Sequence, residues 1–254
     1  MKHKELLYLI ILILHLFLSY SVFLLFENQD IILLTKEDGF FESLGAIFFL
    51  IASIFLFITF WRDESGNKFQ FFKTKRNIFF LLLGLVFFVG FGEEISWGQR
   101  IFDFHTPEIL KEHNLQDEVS IHNLEIFQVR TAEGQRKSNW ALLLHVNVHF
   151  ILFWFAYCIV IPILNKFHLT ISRWFKKINL PTIPIWIGIF FLANLIISRM
   201  VGVHISGDIH SPVEISGDIL NALMEIEECN FAFLFLLVSL YLFQNNGDKE
   251  LGQK

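Results

Sequence analysis

Residues 78–100 read IFFLLLGLVFFVGFGEEISWGQR, an apolar run that ends in polar and charged residues. The run 78–97 matches the length of about 20 mostly apolar residues that a helix needs to cross about 30 Å of hydrocarbon. Because backbone polar groups cannot stay unpaired in lipid, a helix is the structure expected for such a run. This stretch therefore predicts a membrane-spanning helix that ends in two carboxylates, Glu93 and Glu94.

The rest of the 254-residue chain repeats this pattern, since 54% of it is hydrophobic and phenylalanine alone supplies 32 residues. Apolar runs long enough to be spans cover residues 6–26, 41–61, 78–97, 140–164, 183–198 and 219–243. The expected fold is all-α: a polytopic membrane helical bundle with six transmembrane helices, forming one transmembrane domain over residues 1–254. The polar outer loop 98–139 is predicted to carry short interfacial helices.

The distribution of charge predicts the orientation of the bundle. If both termini lie inside, the inner segments are 1–5, 62–77, 165–182 and 244–254. They hold 13 of the 20 Lys and Arg residues but only five of the 25 Asp and Glu residues. Because short cytoplasmic loops are enriched in Lys and Arg, an N-in, C-in topology in the inner (cytoplasmic) membrane of a cell is expected. The net charge of −5 and the absence of a nucleic-acid motif argue against a nucleic-acid partner.

Ionisable residues inside spans are costly, so that each is a candidate functional residue. Here they all fall on the outer side. His145 and His149 are four residues apart and share a helix face, as do Glu225 and Glu228. The candidates are Glu93, Glu94 and Arg100 at the end of the third span, His145 and His149 in the fourth, and Glu225 and Glu228 in the sixth.

Three chemistries fit these residues. In the first, His145 and His149, with His122 of the outer loop as an additional ligand, hold a divalent metal such as zinc together with a carboxylate. In the second, a glutamate in a desolvated, like-charged setting activates water without a metal. In the third, the same residues carry protons or a cation through a transporter.

The segment 92–100, Gly-Glu-Glu-Ile-Ser-Trp-Gly-Gln-Arg, is followed by His122 and Asn123. This combination resembles uncharacterised bacterial polytopic membrane proteins. The similarity covers about the middle third of the chain and implies no activity.

A partial resemblance links the chain to the CAAX-protease and bacteriocin-processing family of intramembrane enzymes. That family carries Glu-Glu-x-x-x-Arg, Phe-x-x-x-His and His-x-x-x-Asn or Asp motifs. Glu93-Glu94 followed by Arg100 is similar, but the arginine comes two residues late. His149 is preceded at that spacing by histidine instead of phenylalanine, and His204-x-x-x-Asp fits the third pattern in a predicted loop. The resemblance implies Glu93 as the water-activating base and His149 and His204 as transition-state stabilisers.

The leading hypothesis from the sequence is an intramembrane hydrolase whose site opens near the outer leaflet. Its substrate would be a lipid or a membrane-embedded peptide, and Arg100 or Arg199 would orient an anionic headgroup or a peptide carboxylate. The rival hypothesis is a proton- or cation-coupled transporter. It needs a polar route to both faces, whereas the inner halves of the spans are almost entirely apolar, with His15 as the main exception. A third alternative is a non-catalytic membrane assembly subunit.

Overall fold

The structure is a computed structural model, and it is built almost entirely from helices. It describes residues 3–36, 38–68, 73–111, 114, 119–121, 124–128, 135, 137–138, 141–205 and 217–251. Within these residues, five helical stretches are long and apolar enough to cross a membrane: Glu5–Leu25, Asn28–Arg62, Val146–Phe167, Ile185–Ile205 and Gly217–Asn246. The chain is therefore an all-helical, multi-pass membrane protein by length and composition.

The helices follow the apolar runs of the sequence. In chain order they are α1 (His3–Leu25), α2 (Asn28–Thr35), α3 (Phe40–Arg62), α4 (Ile78–Glu94), α5 (Gln99–Phe102), α6 (Glu108–Lys111), α7 (Val146–Trp154), α8 (Ile161–Phe167), α9 (Leu169–Lys177), α10 (Ile185–Ile205) and α11 (Gly217–Leu251). A short antiparallel pair, β1 (Asn67–Lys68) and β2 (Lys73–Thr74), lies between α3 and α4. Single 3₁₀ turns cover Ser96–Gly98, Glu125–Phe127 and Ala141–Leu144, and a π-helical turn, Phe155–Val160, joins α7 to α8.

Helix α11 is the centre of the bundle. Two thirds (67%) of its apolar window is buried, against 22–39% for the other four candidate spans. The ring of Phe235 on α11 lies within 4.8–6.1 Å of phenylalanine rings on α3, α4, α7 and α10. Aromatic pairs at such distances add to the energy of burial. The other helices therefore pack around α11 through a core of phenylalanine rings.

The fourth span differs most from its prediction, because its helix begins at Val146 and not near residue 140. His145 is the N-cap of α7, where its Nδ1 accepts a hydrogen bond from the Asn147 backbone N–H at 3.3 Å. A side-chain acceptor at this position satisfies a backbone N–H that the first turn leaves without a partner. His145 consequently lies at the N-terminal end of the helix and not deep within it.

The other spans agree with their predicted ranges to within a few residues, except that α11 runs to Leu251 instead of residue 243 and that α10 also ends later than predicted. That helix continues past Arg199, whose side chain is exposed, and ends at Ile205. Helix α4 has 17 residues and a length of about 25 Å at about 1.5 Å per residue. It is not among the five helices that are long enough to cross a membrane on their own.

The two ends of the bundle differ in charge. The acidic end is where α3 begins and α4 ends. The basic end is where α3 ends, α4 begins and α9 lies. At the basic end, the Asn77 side chain donates to the backbone oxygen of Asn179 at 2.7 Å and so ties the start of α4 to the end of α9. Helix α9 has its lysines in the last turn and an exposed Trp174, the pattern of a helix that lies along a membrane surface.

Candidate functional site

Five glutamates from three helices meet at the acidic end, and we call them the carboxylate cluster. The Glu94 carboxylate at the end of α4 lies within electrostatic range of the other four carboxylates. The other members are Glu42 of α3, Glu93 of α4, and Glu225 and Glu228 of α11. Glu228 is exposed and the other four are half-buried, so that the cluster opens to the outside of the bundle.

Gly45 marks the contact that brings these helices together. A Cβ atom added to it would lie 3.6 Å from the Cα of Cys229 and 3.8 Å from a carboxylate oxygen of Glu94. Glu42 lies one turn before Gly45 on α3, and Glu228 directly precedes Cys229 on α11. The close approach of α3 and α11 at a small residue therefore sets the level of the cluster, at the first turns of α3 and the last turn of α4.

Trp97 holds one member of the cluster by a hydrogen bond. Its indole Nε1–H donates to Glu93 Oε1 at 2.6 Å. The indole ring folds back over Gly92, where an added Cβ would come within 2.9 Å of the ring atoms. A donor at this distance from a carboxylate stabilises the charged form of that carboxylate. The spacing from Gly92 to Trp97 thus fixes the position of the Glu93 carboxylate beside the indole N–H.

The backbone after α4 is strained. Ser96, Trp97 and Gly98 all adopt positive φ angles, of 45°, 52° and 81° respectively. Each non-glycine residue in this region costs about 1–3 kcal/mol and persists only where the surroundings enforce it. Ser96 is buried, which is one such constraint. This strained turn, from Ser96 to Gly98, is the feature that aims the indole of Trp97 back at α4.

Gln99 connects the strained turn to the outer loop. Its Nε2 donates to Thr106 Oγ1 at 2.9 Å, and its Oε1 accepts from the Val119 backbone N–H at 2.7 Å. A further hydrogen bond of 3.0 Å joins the Asn114 side chain to the Ser120 backbone oxygen. The described parts of the outer loop are therefore anchored to the end of α4, next to the carboxylate cluster.

The opposite face of α11 carries a second set of polar residues, which we call the polar clasp. Tyr20 of α1 donates to Asn194 Oδ1 at 2.7 Å, and the Asn194 side chain donates to the Glu227 backbone oxygen at 3.0 Å. Ser198 donates to the Glu227 carboxylate. Asn230, one turn further along α11, lies beside Tyr20 and is fully buried. The clasp joins α1, α10 and α11.

The predicted histidine ligands make local contacts. Nδ1 of His149 lies 3.1 Å from the backbone oxygen of His145, whose own Nδ1 caps α7. Among the described residues, no group of three His, Cys, Asp or Glu side chains is arranged to hold a metal ion. The position of His122 lies outside those residues. The histidine pair thus has no described third ligand, and the described residues do not form the predicted zinc site.

The structure therefore brings together four of the predicted site residues, Glu93, Glu94, Glu225 and Glu228. For Arg100, the backbone is described as part of α5 but the side chain is not. Sequence analysis had not selected Glu42, Trp97 and Gln99 as functional residues. A signal for Trp97 exists, because it stands four residues after Glu93, a spacing at which helical side chains share a face. In the structure, however, α4 ends at Glu94, and Trp97 reaches Glu93 through the strained turn.

Sequence analysis had also not selected the members of the clasp. Asn194 and Ser198 are polar residues four apart in an otherwise apolar run, a spacing that predicts a shared contact.

Comparison with known proteins finds no matching family model, no matching curated protein and no matching solved structure.

Proposed function

We propose that this protein is an intramembrane hydrolase that activates water with the carboxylate cluster at the acidic end. The observation that carries the proposal is the pairing of Glu93, held by the Trp97 N–H donor, with Glu94, which is surrounded by like charges. Neighbouring carboxylates in unlike settings are the usual arrangement for acid–base work, since one can take a proton while another gives one.

The charges of the cluster support distinct roles for its members. Carboxylates this crowded hold a proton or a positive group between them, because like charges repel. Glu93 acts as the base that removes a proton from water as the water oxygen attacks the scissile carbonyl or phosphoryl group. The proton held by the Glu94, Glu225 and Glu228 group passes to the leaving group. The substrate is a lipid or a membrane-embedded peptide that reaches the cluster at the membrane surface.

The proposal includes the topology of the chain. We place α4 in the membrane as a sixth span, completed by the turn Ser96–Gly98, with both termini inside. Support comes from the basic end, where Arg76 precedes α4 and Lys176 and Lys177 end α9. Positive charge at that end favours the cytoplasmic side of an inner membrane. A green fluorescent protein fused to the carboxyl end is expected to fluoresce, whereas alkaline phosphatase fused there is expected to stay inactive.

The hydrolase proposal is tested with purified protein in liposomes. The probes are fluorogenic phospholipids and quenched membrane peptides in water enriched in oxygen-18. We expect product that carries the heavy isotope with the wild type, about 10²–10⁴-fold less with Glu94→Gln, and wild-type amounts with Asp30→Asn, a control at an exposed acid of α2. Cleavage by Glu94→Gln at the wild-type rate would contradict the proposal.

A second candidate, proton- or cation-coupled transport, is favoured by the polar clasp. Asn230 of the clasp lies beside His15, and its side chain is fully buried. Polar groups therefore continue from the level of the cluster toward the middle of the bundle. Proton uptake by liposomes that carry a pH-sensitive dye, lost in Asn230→Leu but kept in Asn221→Leu, would favour transport.

A further inference from the structure

A cleft at the basic end has no part in the proposed reaction. It encloses about 570 Å³ between the end of α3 and the start of α4, next to the β1–β2 pair. Three cationic side chains and one carboxylate line it, together with an indole ring: Lys73, Lys75, Arg76, Glu64 and Trp61. A cavity of roughly 300–1,000 Å³ is the usual size for a small-molecule ligand. The cleft therefore has the volume and the net positive charge to hold an anionic group.

The walls of the cleft are fixed by a buried polar network. The buried carboxylate of Asp63 accepts from the Ser65 backbone N–H at 3.1 Å, from the Ser65 hydroxyl at 2.8 Å and from the Asn77 backbone N–H at 3.2 Å. Asn179, at the end of α9, donates to the backbone oxygens of Ser65 and Gly66. These hydrogen bonds tie the segment 63–66 to the end of α3, the start of α4 and the end of α9. Its shape is therefore preorganised, and preorganisation reduces the cost of binding a ligand.

The cations of the cleft have different settings. The Arg76 guanidinium carbon lies 4.1 Å from the centre of the Trp61 ring and 5.8 Å from that of Phe60, so that stacking holds it in place. Lys73 and Lys75 line the cleft and are exposed. A planar, fixed guanidinium beside two mobile ammonium groups suits a tetrahedral phosphate, which accepts hydrogen bonds from several directions.

We infer that this cleft binds a phosphate-bearing anion, which in the membrane is the headgroup of an anionic phospholipid. The lipid source is favoured by Trp61, which is 70% exposed at the end of a span, where aromatic residues meet the interface. Helix α9 next to it presents Leu169 and Trp174 outward beside its lysines. These side chains place the mouth of the cleft at the level of the lipid headgroups. The inference does not depend on the hydrolase proposal.

Native mass spectrometry of the full chain in neutral detergent tests this inference. The protein is titrated with dioleoylphosphatidylglycerol, with dioleoylphosphatidylcholine and, separately, with inorganic phosphate. The cleft variant is Lys73→Gln/Lys75→Gln. The matched control is Lys176→Gln/Lys177→Gln, which removes the same charge at the same end, outside the cleft. All four lysines are exposed, so that both variants are expected to fold.

The wild type is expected to bind phosphatidylglycerol in preference to phosphatidylcholine. Because each lysine near an anionic surface strengthens binding about fivefold, we expect about 30-fold weaker binding in the cleft variant. The control should stay within a few-fold of the wild type. Saturable binding of inorganic phosphate that the cleft variant loses would also support the site. It would show that the ligand of the cleft is a soluble phosphate. Equal losses in the two variants, or none in the cleft variant, would overturn the inference.

Discussion

The acidic residues on the two faces of α11 lie in different surroundings. On the face toward α3 and α4, Glu225 and Glu228 lie near the carboxylate of Glu94. On the face toward α1 and α10, Glu227 lies among a hydroxyl, a phenol and an amide. A buried acid among donors stabilises a packed structure, whereas like charges held together store repulsion. The sequence Glu225 to Glu228 therefore combines the face of the proposed reaction, which we call the reactive face, with a structural face at one level of the bundle.

Glu94→Gln is expected to have the largest effect on the reactive face. In the proposed reaction it removes a carboxylate that takes part in proton transfer, and such a group contributes about 10²–10⁴-fold to a rate. Hydrolysis should fall by that factor while thermal stability stays equal or rises, since repulsion in the cluster is relieved. The measurement is product formation together with the melting temperature in detergent. A parallel loss of melting temperature would make Glu94 a structural residue instead.

Asn194→Ala should show the opposite signature on the structural face. Asn194 is fully buried, and its replacement removes one side-chain hydrogen bond to Tyr20 and one to the Glu227 backbone oxygen. We expect a loss of about 2 kcal/mol in the free energy of unfolding, since each of the two hydrogen bonds is worth about 1 kcal/mol. Reversible unfolding in mixed micelles measures this. Asn221→Ala, at an exposed position of α11, is the control and should change the stability little.

Trp97→Phe sharpens the comparison further, because phenylalanine retains a ring against Gly92 but removes the N–H donor to Glu93. A charge-assisted hydrogen bond is worth about 1.5–3 kcal/mol, so that a rate loss of about tenfold or more is expected. The melting temperature should change little. Steady-state kinetics check the result, and an unchanged rate would show that the Trp97 donor does not serve the reaction.

The smallest effect is expected for Gln99→Leu, which removes two hydrogen bonds to the outer loop. Each is worth about 1 kcal/mol, so that the Val119 amide should exchange its hydrogen several-fold faster. Hydrogen–deuterium exchange followed by mass spectrometry measures this at the peptide that contains Val119. Peptides from α10 serve as the internal control, and unchanged exchange at Val119 would exclude an anchoring role for Gln99.

The sequence could predict the helices well, because the length of a span and the need to pair backbone groups leave few alternatives. It could not predict that α11 is central, since runs such as 78–92 and 231–243 are apolar on all sides and so do not reveal which face packs inward. The start of α7 was also hidden, because the side chain of His145 caps a helix whose apolar residues begin several positions earlier.

The candidate site could be predicted in part. Its acids were visible as costly charges in apolar surroundings, and four of those that were selected do meet. The sequence does not show which helices flank α11. It therefore could not predict that Glu227 lies on a different face from Glu225 and Glu228. The role of Trp97 depends on the positive φ angles after α4, which sequence spacing does not reveal.

The approach of α3 to α11 at the carboxylate cluster is the central claim, and a disulfide tests it directly. A Cβ atom on residue 45 would lie 4.0 Å from the Cβ of the native Cys229, within the range of about 3.5–4.5 Å for disulfides. In a Cys158→Ala background, Gly45→Cys should form this bond on mild oxidation, so that intact mass after denaturing alkylation shows no modified thiol. The control is Gly202→Cys, in which the added Cβ would meet Leu223 and not a cysteine. It should show two alkylated thiols. Two alkylated thiols in Gly45→Cys would contradict the account.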